Sequence, residues 1–86
     1  MAAGTGALKV SVISPEATLF EGQAPSVTAP AFDGEVGILP SHAPMVTTLG
    51  KGVLRIGDRA TFTVEGGFLQ VVDDVVRVVT EHAAKA

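Results

Sequence analysis

Apolar and polar residues alternate along most of this 86-residue chain. A turn signal interrupts the alternation roughly every eight to ten residues. In the first such run, Leu8, Val10 and Val12 alternate with polar neighbours. Because successive side chains of a strand point to opposite faces, a run of this kind predicts a strand with one buried face. Repeated about nine times, the pattern is typical of an antiparallel β-sandwich or barrel.

The turns are marked by residues that bend the backbone at little cost. Asp33-Gly34 is a strong hairpin signal, because glycine readily adopts the positive φ that tight turns need. The other turn signals are residues 50–52, 57–58, 66–67 and 73–74. The predicted strands are residues 8–12, 18–21, 25–29, 35–39, 45–49, 53–56, 60–65, 68–72 and 75–80. Residues 81–86 are compatible with a helix, but so short a segment is not stable alone.

Composition excludes several classes of function. The chain has no cysteine, and only His42 and His82 could supply nitrogen ligands to a metal. Its net charge of −3 disfavours nucleic acid, whose phosphates require a basic surface. The N-terminus lacks the features of a signal peptide, and no apolar run is long enough to span a bilayer. We therefore expect an intracellular domain without metal, cofactor or nucleic acid, and without direct membrane insertion.

The chain is unusually apolar for its size. Hydrophobic residues make up 47% and charged residues only 17% of the sequence. A domain of this length buries only roughly 60–65% of the surface that its unfolded chain exposes. Some apolar surface must then remain exposed, and a contiguous apolar patch marks a partner interface. The composition favours a subunit of an assembly over a free-standing enzyme.

The segment of residues 32–47, FDGEVGILPSHAPMVT, is the most constrained part of the sequence. Pro40 and Pro44 fix φ on either side of His42. A catalytic histidine needs an orienting carboxylate and a nucleophile within reach. Ser41 is adjacent, but neighbouring side chains of an extended segment point to opposite faces. We interpret His42 as a surface or hydrogen-bonded histidine of the turn and predict no catalytic residue in this chain.

Lys51, between two glycines, raises two alternatives. A phosphate-binding P-loop needs four residues between its glycines, then Lys followed by Ser or Thr, and a helix after them. Lys51 is followed by Gly52 and a predicted strand, so the P-loop is excluded. Lipoyl and biotinyl carrier domains are all-β and of similar size, with a modified lysine at a hairpin tip, although different residues flank it. A carrier domain stays open as an alternative, as does a free-standing β-sandwich binding module.

Three blocks of sequence carry a resemblance to a known family. They are VISPEATLFEG, APAFDGEVGILPSHAPMVTTLGKGVLRI and FTVEGGFLQVVDDVVRVVTEHA. The most specific element is G-E-x-G-I-L-P-x-H-A-P, followed by an apolar pair and threonine. From about Leu8 to about Ala83, the chain resembles the N-terminal β-sandwich domain of the epsilon subunit of F-type ATP synthase, called delta in mitochondria.

The resemblance implies a structural part of a rotor. It implies a flattened antiparallel β-sandwich of about ten short strands at the foot of the central stalk. Such a domain clamps the gamma subunit to the ring of c subunits, so that ion-driven rotation of the ring turns gamma. We expect a non-catalytic, peripheral subunit at the cytoplasmic face of the inner membrane.

The resemblance also assigns two contact surfaces. The positions that match the loop facing the c-ring are Asp33, Gly34 and Glu35. The positions on or beside the face that meets gamma are Ser14, Pro40, His42, Pro44, Met45 and Thr47. Charged and polar groups at the c-ring contact fix its register, whereas apolar burial supplies affinity for gamma.

The two ends of the sequence complete these expectations. Many relatives continue into a C-terminal αα-hairpin that inhibits ATP hydrolysis and in some members binds ATP. This sequence stops at Ala86, so we expect no αα-hairpin, no nucleotide binding and no inhibition through extended helices. Residues 1–6 are rich in alanine and glycine, which predicts a flexible extension before one domain of residues 7–86.

Overall fold

The computed structural model describes residues 7–86, and all the regular secondary structure in them is β-strand. The strands are β1 (Leu8–Ile13), β2 (Thr18–Ala24), β3 (Val27–Ala31), β4 (Gly34–Ile38), β5 (Met45–Thr48), β6 (Lys51–Ile56), β7 (Ala60–Val72) and β8 (Val75–Lys85). The predicted all-β class is confirmed, with eight strands rather than about ten. Residues 81–85, whose composition is compatible with a helix, instead continue β8. The flexible extension predicted for residues 1–6 lies outside the described residues.

The strands pair in the order β2-β1-β8-β7-β6-β3-β4, and β5 also pairs with β7. The predicted antiparallel arrangement holds for every pair except one, because β1 runs parallel to β8. Hairpin turns force antiparallel pairing between neighbours in the chain. Six other strands lie between β1 and β8 in the chain. No hairpin turn therefore sets the direction of one relative to the other.

One edge of β7 carries two partners in succession. Its residues 60–65 pair with β6 and its residues 68–71 pair with β5. The buried side of β7 changes phase between these two halves, from Phe62 and Val64 to Leu69 and Val71. Since alternate side chains point to opposite faces, a change from even to odd numbers means that the sheet turns its other side inward. The sheet therefore folds over on itself and forms a sandwich.

Two consecutive glycines lie on this fold line. Gly66 and Gly67 have positive φ angles of 79° and 106°, and a Cβ on Gly67 would collide with the carbonyl oxygen of Val79. The hydroxyl of Thr80 lies 3.0 Å from the Gly66 oxygen and 2.9 Å from the His82 oxygen. Two predicted strands are thus one bent strand, because Gly66-Gly67 bends the backbone without reversing it. We call the fold line the crease; its residues are Leu49, Gly50, Gly66, Gly67 and Thr80.

The crease divides the sheet into two layers. The first layer contains β2, β1, β5 and the halves of β7 and β8 that are joined by their turn. The second layer contains β4, β3, β6 and the remaining halves of β7 and β8. Fully buried side chains fill the space between the layers, and burial of each large apolar side chain stabilises the fold by roughly 1.5–3 kcal/mol. The largest are Leu8, Ile38, Leu54, Ile56, Leu69, Val10, Val12, Val27, Val64, Val71, Val76 and Val78.

Candidate partner-binding surfaces

The hairpin tip between β3 and β4 carries the three residues assigned to the c-ring contact. Asp33, Gly34 and Glu35 are all exposed, and Gly34 has a positive φ of 133° with open space around it. Phe32, just before them, is 71% exposed. Its N–H donates to the carbonyl oxygen of Thr48, at 3.1 Å, which fastens the base of the tip to β5. The tip therefore projects two carboxylates and one aromatic ring from a fixed base.

The loop of residues 39–44 joins β4 to β5 at the other end of β4. Ser41 has a positive φ of 68°, and its N–H donates to Oδ1 of Asp74 at 2.6 Å. Asp73 and Asp74 form the turn between β7 and β8, with φ angles of 50° and 63°. The main-chain oxygen of Asp74 accepts a hydrogen bond from the N–H of Lys9, at 2.8 Å. One turn thus connects the loop to both β7–β8 and β1.

Five of the six residues assigned to the gamma contact lie in or beside this loop. Pro40 and His42 are half-buried, and Pro44 is exposed. Met45 and Thr47 follow in β5, where they pair with the fully buried Val71 and Leu69. They therefore lie on the core side of β5 and are half-buried at its edge. The structure gathers these five residues around the start of β5, although not all on one face.

Ser14 is placed elsewhere. Its N–H donates to the carbonyl oxygen of Ala17 at 2.8 Å, and its hydroxyl lies 3.2 Å from the same oxygen. These bonds close the turn between β1 and β2. Ile13, the residue before Ser14, is connected to Thr48 by successive pairing through β8 and β7. Thr48 lies at the end of β5 that is remote from the loop. Ser14 and the loop of residues 39–44 therefore occupy opposite corners of the first layer.

The surface between these corners was missed by the sequence reasoning. Ile13, Val79, Phe68 and Thr48 are paired in register across four strands, on the face of the first layer that points away from the core. We call these four residues the outer row. Phe68 is 39% exposed, and Val46, on the same face, is 67% exposed. A signal was present in the sequence, because alternation predicts polar residues at such outward positions and apolar ones stand there instead.

Few side chains of the described residues are candidates for catalysis, metal binding or covalent modification. Nδ1 of His42 donates to the carbonyl oxygen of Ala43, at 2.7 Å, and so takes part in a local bond. Residues 7–86 hold no group of three or more metal-binding side chains. Lys51 begins β6 opposite Glu65 and is not at a hairpin tip, so it does not have the position of the modified lysine of a carrier domain.

Residues 7–86 contain no helix of the length and hydropathy needed to cross a bilayer.

Comparison with known proteins gives a family match over almost the whole chain. The model of the family described as "ATP synthase, Delta/Epsilon chain, beta-sandwich domain" matches residues 7–86. A protein named ATP synthase epsilon chain from Leptospira borgpetersenii is 50% identical over 80 residues, covering 90% of this chain and 63% of that protein. The protein of the same name from Caulobacter vibrioides is 39% identical over 82 residues, covering 92% of this chain and 95% of the relative. The chain thus spans less than two thirds of the first relative but nearly all of the second.

Solved structures share the fold. A chain in the cryo-EM structure of the Euglena gracilis mitochondrial ATP synthase, comprising OSCP, F1 and c-ring, superimposes with a TM-score of 0.85 at 22% identity. The match covers 93% of this chain and 54% of that chain. A chain of the central stalk and c-ring of the Tetrahymena thermophila mitochondrial enzyme gives a TM-score of 0.75 at 16% identity, over 90% of this chain and 65% of that one.

Proposed function

The chain belongs to the delta/epsilon family of ATP synthase subunits, and from this we propose that it is a rotor subunit of the central stalk. In this role it joins the gamma subunit to the c-ring, so that rotation of the ring driven by ions turns gamma for ATP synthesis. It acts without catalysing a reaction. Its place is peripheral, at the cytoplasmic face of the inner membrane, within the assembled enzyme.

One observation carries the proposal: two surfaces of unlike chemistry lie at separate places on one hydrogen-bonded sheet. The acidic tip at residues 33–35 and the loop of residues 39–44 lie at opposite ends of β4. β4 has five residues and is about 16 Å long at about 3.3 Å per residue. A single domain can therefore contact two partners at once and transmit force between them through hydrogen-bonded strands.

For the gamma contact we propose the outer row and the loop of residues 39–44 together. Phe68 lies in the middle of the row, with Val46 in β5 beside it. Large aromatic side chains in the centre of an interface supply much of its binding energy. The loop lies at one corner of this surface and Ser14 at the opposite corner, so both sets of residues assigned to gamma border the same face.

For the c-ring contact we propose the tip at residues 33–35. Its two carboxylates are exposed, and its base is tied to β5 by the Phe32 N–H bond. Exposed charges contribute more to orientation and association rate than to affinity. Such a tip suits polar loops of a ring, on which it must sit in a defined register.

The test is reconstitution into an ATP synthase from which the epsilon subunit has been removed. Adding this chain should restore binding between gamma and the c-ring, and with it ATP-driven ion pumping. A matched pair of variants separates the two outer faces, because Val75 in the first layer is 40% exposed and Val53 in the second is 39% exposed. Val75→Glu should impair reconstitution, whereas Val53→Glu should not.

Two results would contradict the proposal. One is failure of the folded wild-type chain to bind gamma of the same organism. The other is equal pumping with and without the chain in an enzyme that otherwise depends on its epsilon subunit.

A further inference from the structure

The loop of residues 39–44 has few attachments to the rest of the molecule. None of its side chains is fully buried. Within residues 7–86, the only hydrogen bond that the structure gives from the loop to a residue outside it runs from the Ser41 N–H to Oδ1 of Asp74, at 2.6 Å. The other bond of the loop is local, from His42 to Ala43. The position of the loop therefore depends strongly on one carboxylate of the turn between β7 and β8.

Ser41 needs this bond because its backbone conformation is unfavourable. Its φ of 68° lies in the left-handed region, which residues with a Cβ adopt at a cost. A hydrogen bond to a charged acceptor is shorter and stronger than one between neutral groups. The bond to Asp74 therefore offsets the cost at Ser41 and favours this conformation of the loop over others.

Asp74 is itself held in place. Asp73 and Asp74 both have positive φ angles, as a two-residue type I′ hairpin turn requires, and Asp is one of the residues that tolerate them. The main-chain oxygen of Asp74 accepts the N–H of Lys9, which ties the turn to β1. The Asp74 carboxylate thus contacts the loop from a turn whose backbone is held by the β7–β8 hairpin and by the hydrogen bond to β1.

We propose that Asp74 is a positioning residue for the gamma contact: it holds the loop of residues 39–44 in the conformation that binds gamma. This role rests on the proposed function and deepens it. A loop that is ordered before binding loses less conformational entropy when the complex forms. Asp74 need not touch gamma to act in this way, because it acts through Ser41.

Three variants separate this role from a general effect on folding. Asp74→Gly keeps the positive φ of the turn and the main-chain bond to Lys9 but removes the acceptor for Ser41. Asp74→Asn keeps an oxygen acceptor at the same place and tolerates the same φ. Asp73→Gly is the matched control, because it makes the same change at the neighbouring residue, whose side chain has no hydrogen bond to the loop.

Two measurements on the full chain report the effect. Amide hydrogen exchange at Ser41, followed by NMR, reports the bond itself, and calorimetric titration with gamma of the same organism reports affinity. We expect Asp74→Gly to speed exchange at Ser41 and to weaken gamma binding about fivefold. Asp73→Gly should stay within about twofold of the wild type in affinity. Asp74→Asn, whose neutral oxygen makes a weaker bond, should fall between the wild type and Asp74→Gly.

The outcomes are distinguishable. If Asp74→Gly binds gamma as tightly as the wild type, or if Asp73→Gly weakens binding equally, the positioning role is overturned. Fast exchange at Ser41 in the wild-type chain would also overturn it. If the wild-type chain has no affinity for gamma, the proposed function fails and the positioning role fails with it, while protection at Ser41 would still identify the bond as a feature of the fold.

Discussion

The two layers of the sandwich present unlike outer faces. The outer face of the first layer carries the exposed apolar side chains of Val46, Phe68, Val72 and Val75. On the second layer, Val53 is the only strand residue among the exposed large hydrophobic side chains of the described chain. Both layers bury the same kind of core, so the difference is not needed for folding. This difference supports the proposal that a partner covers the first layer.

The largest effect is expected from a charge in the centre of the first face. Phe68→Glu places a carboxylate in the outer row, where binding to gamma would have to desolvate it. We expect the affinity for gamma to fall at least about thirtyfold, as for the loss of an aromatic hot spot. Titration calorimetry measures this. Val53→Glu is the control on the second face and should leave the affinity for gamma unchanged. Equal losses of affinity in the two variants would show that gamma does not bind the first face selectively.

The second prediction concerns the crease, which makes two faces out of one sheet. Thr80 is the single buried polar side chain among residues 7–86. Thr80→Val keeps its shape but removes the hydroxyl near the Gly66 and His82 oxygens. We expect a loss of about 1–3 kcal/mol in the free energy of unfolding and a melting temperature lower by at least about 4 °C. Thermal unfolding followed by circular dichroism tests this.

A matched variant serves as the control for the melting temperature of Thr80→Val. Thr63→Val makes the same substitution at an exposed position on the outer face of the second layer. It should leave the melting temperature within about 1 °C of the wild type, since exposed substitutions rarely matter. An equal fall in both variants would mean that the hydroxyl of Thr80 does not stabilise the crease.

A third, smaller effect is expected from the prolines of the loop. Replacing Pro40 and Pro44 together by alanine gives the unfolded chain, and the free loop, more conformational freedom. Affinity for gamma should fall about threefold to fivefold, more than the change in melting temperature accounts for. Titration and thermal unfolding of the same preparation compare the two effects. An unchanged dissociation constant would show that loop stiffness does not contribute.

The smallest effect is expected at the acidic tip. Glu35→Gln removes one exposed charge without changing the size of the side chain. Because rim charges act mainly on association, we expect about a twofold change in the association rate with a gamma–c-ring complex and a weaker dependence on salt. Surface plasmon resonance at low and high salt measures both. If Glu35→Gln instead caused a large loss of affinity for isolated gamma, the tip would contact gamma and the assignment to the c-ring would be wrong.

Alternation was enough to predict most of the fold because it depends only on local chemistry. Every predicted strand lies within or overlaps an observed one. The sequence predicts a turn at Gly66-Gly67 because glycine pairs permit both reversal and bending of the chain. Only the pairing of β7 with β8 past this point distinguishes the two. The parallel pairing of β1 and β8 depends on residues far apart in the chain, which no local pattern encodes.

The candidate surfaces were less accessible to sequence reasoning. The tip at residues 33–35 was predictable, because Asp33-Gly34 specifies a hairpin on its own. The sequence predicts that Phe68 lies in a strand but does not indicate which face it occupies, since the bend at the crease changes the alternation of buried residues just before it. The contact of Ser41 with Asp74 joins residues 33 positions apart and depends on the completed fold.

The absence of cysteine from the chain allows the central claim to be tested directly. Single cysteines replace Phe68 in the first face and Val53 in the second, which are equally exposed at 39%. The rate of alkylation of each thiol is measured by mass spectrometry with and without gamma. We expect gamma to slow alkylation at position 68 at least about tenfold and to leave position 53 unaffected. Protection of position 53, or no protection of position 68 in a chain bound to gamma, would contradict the account.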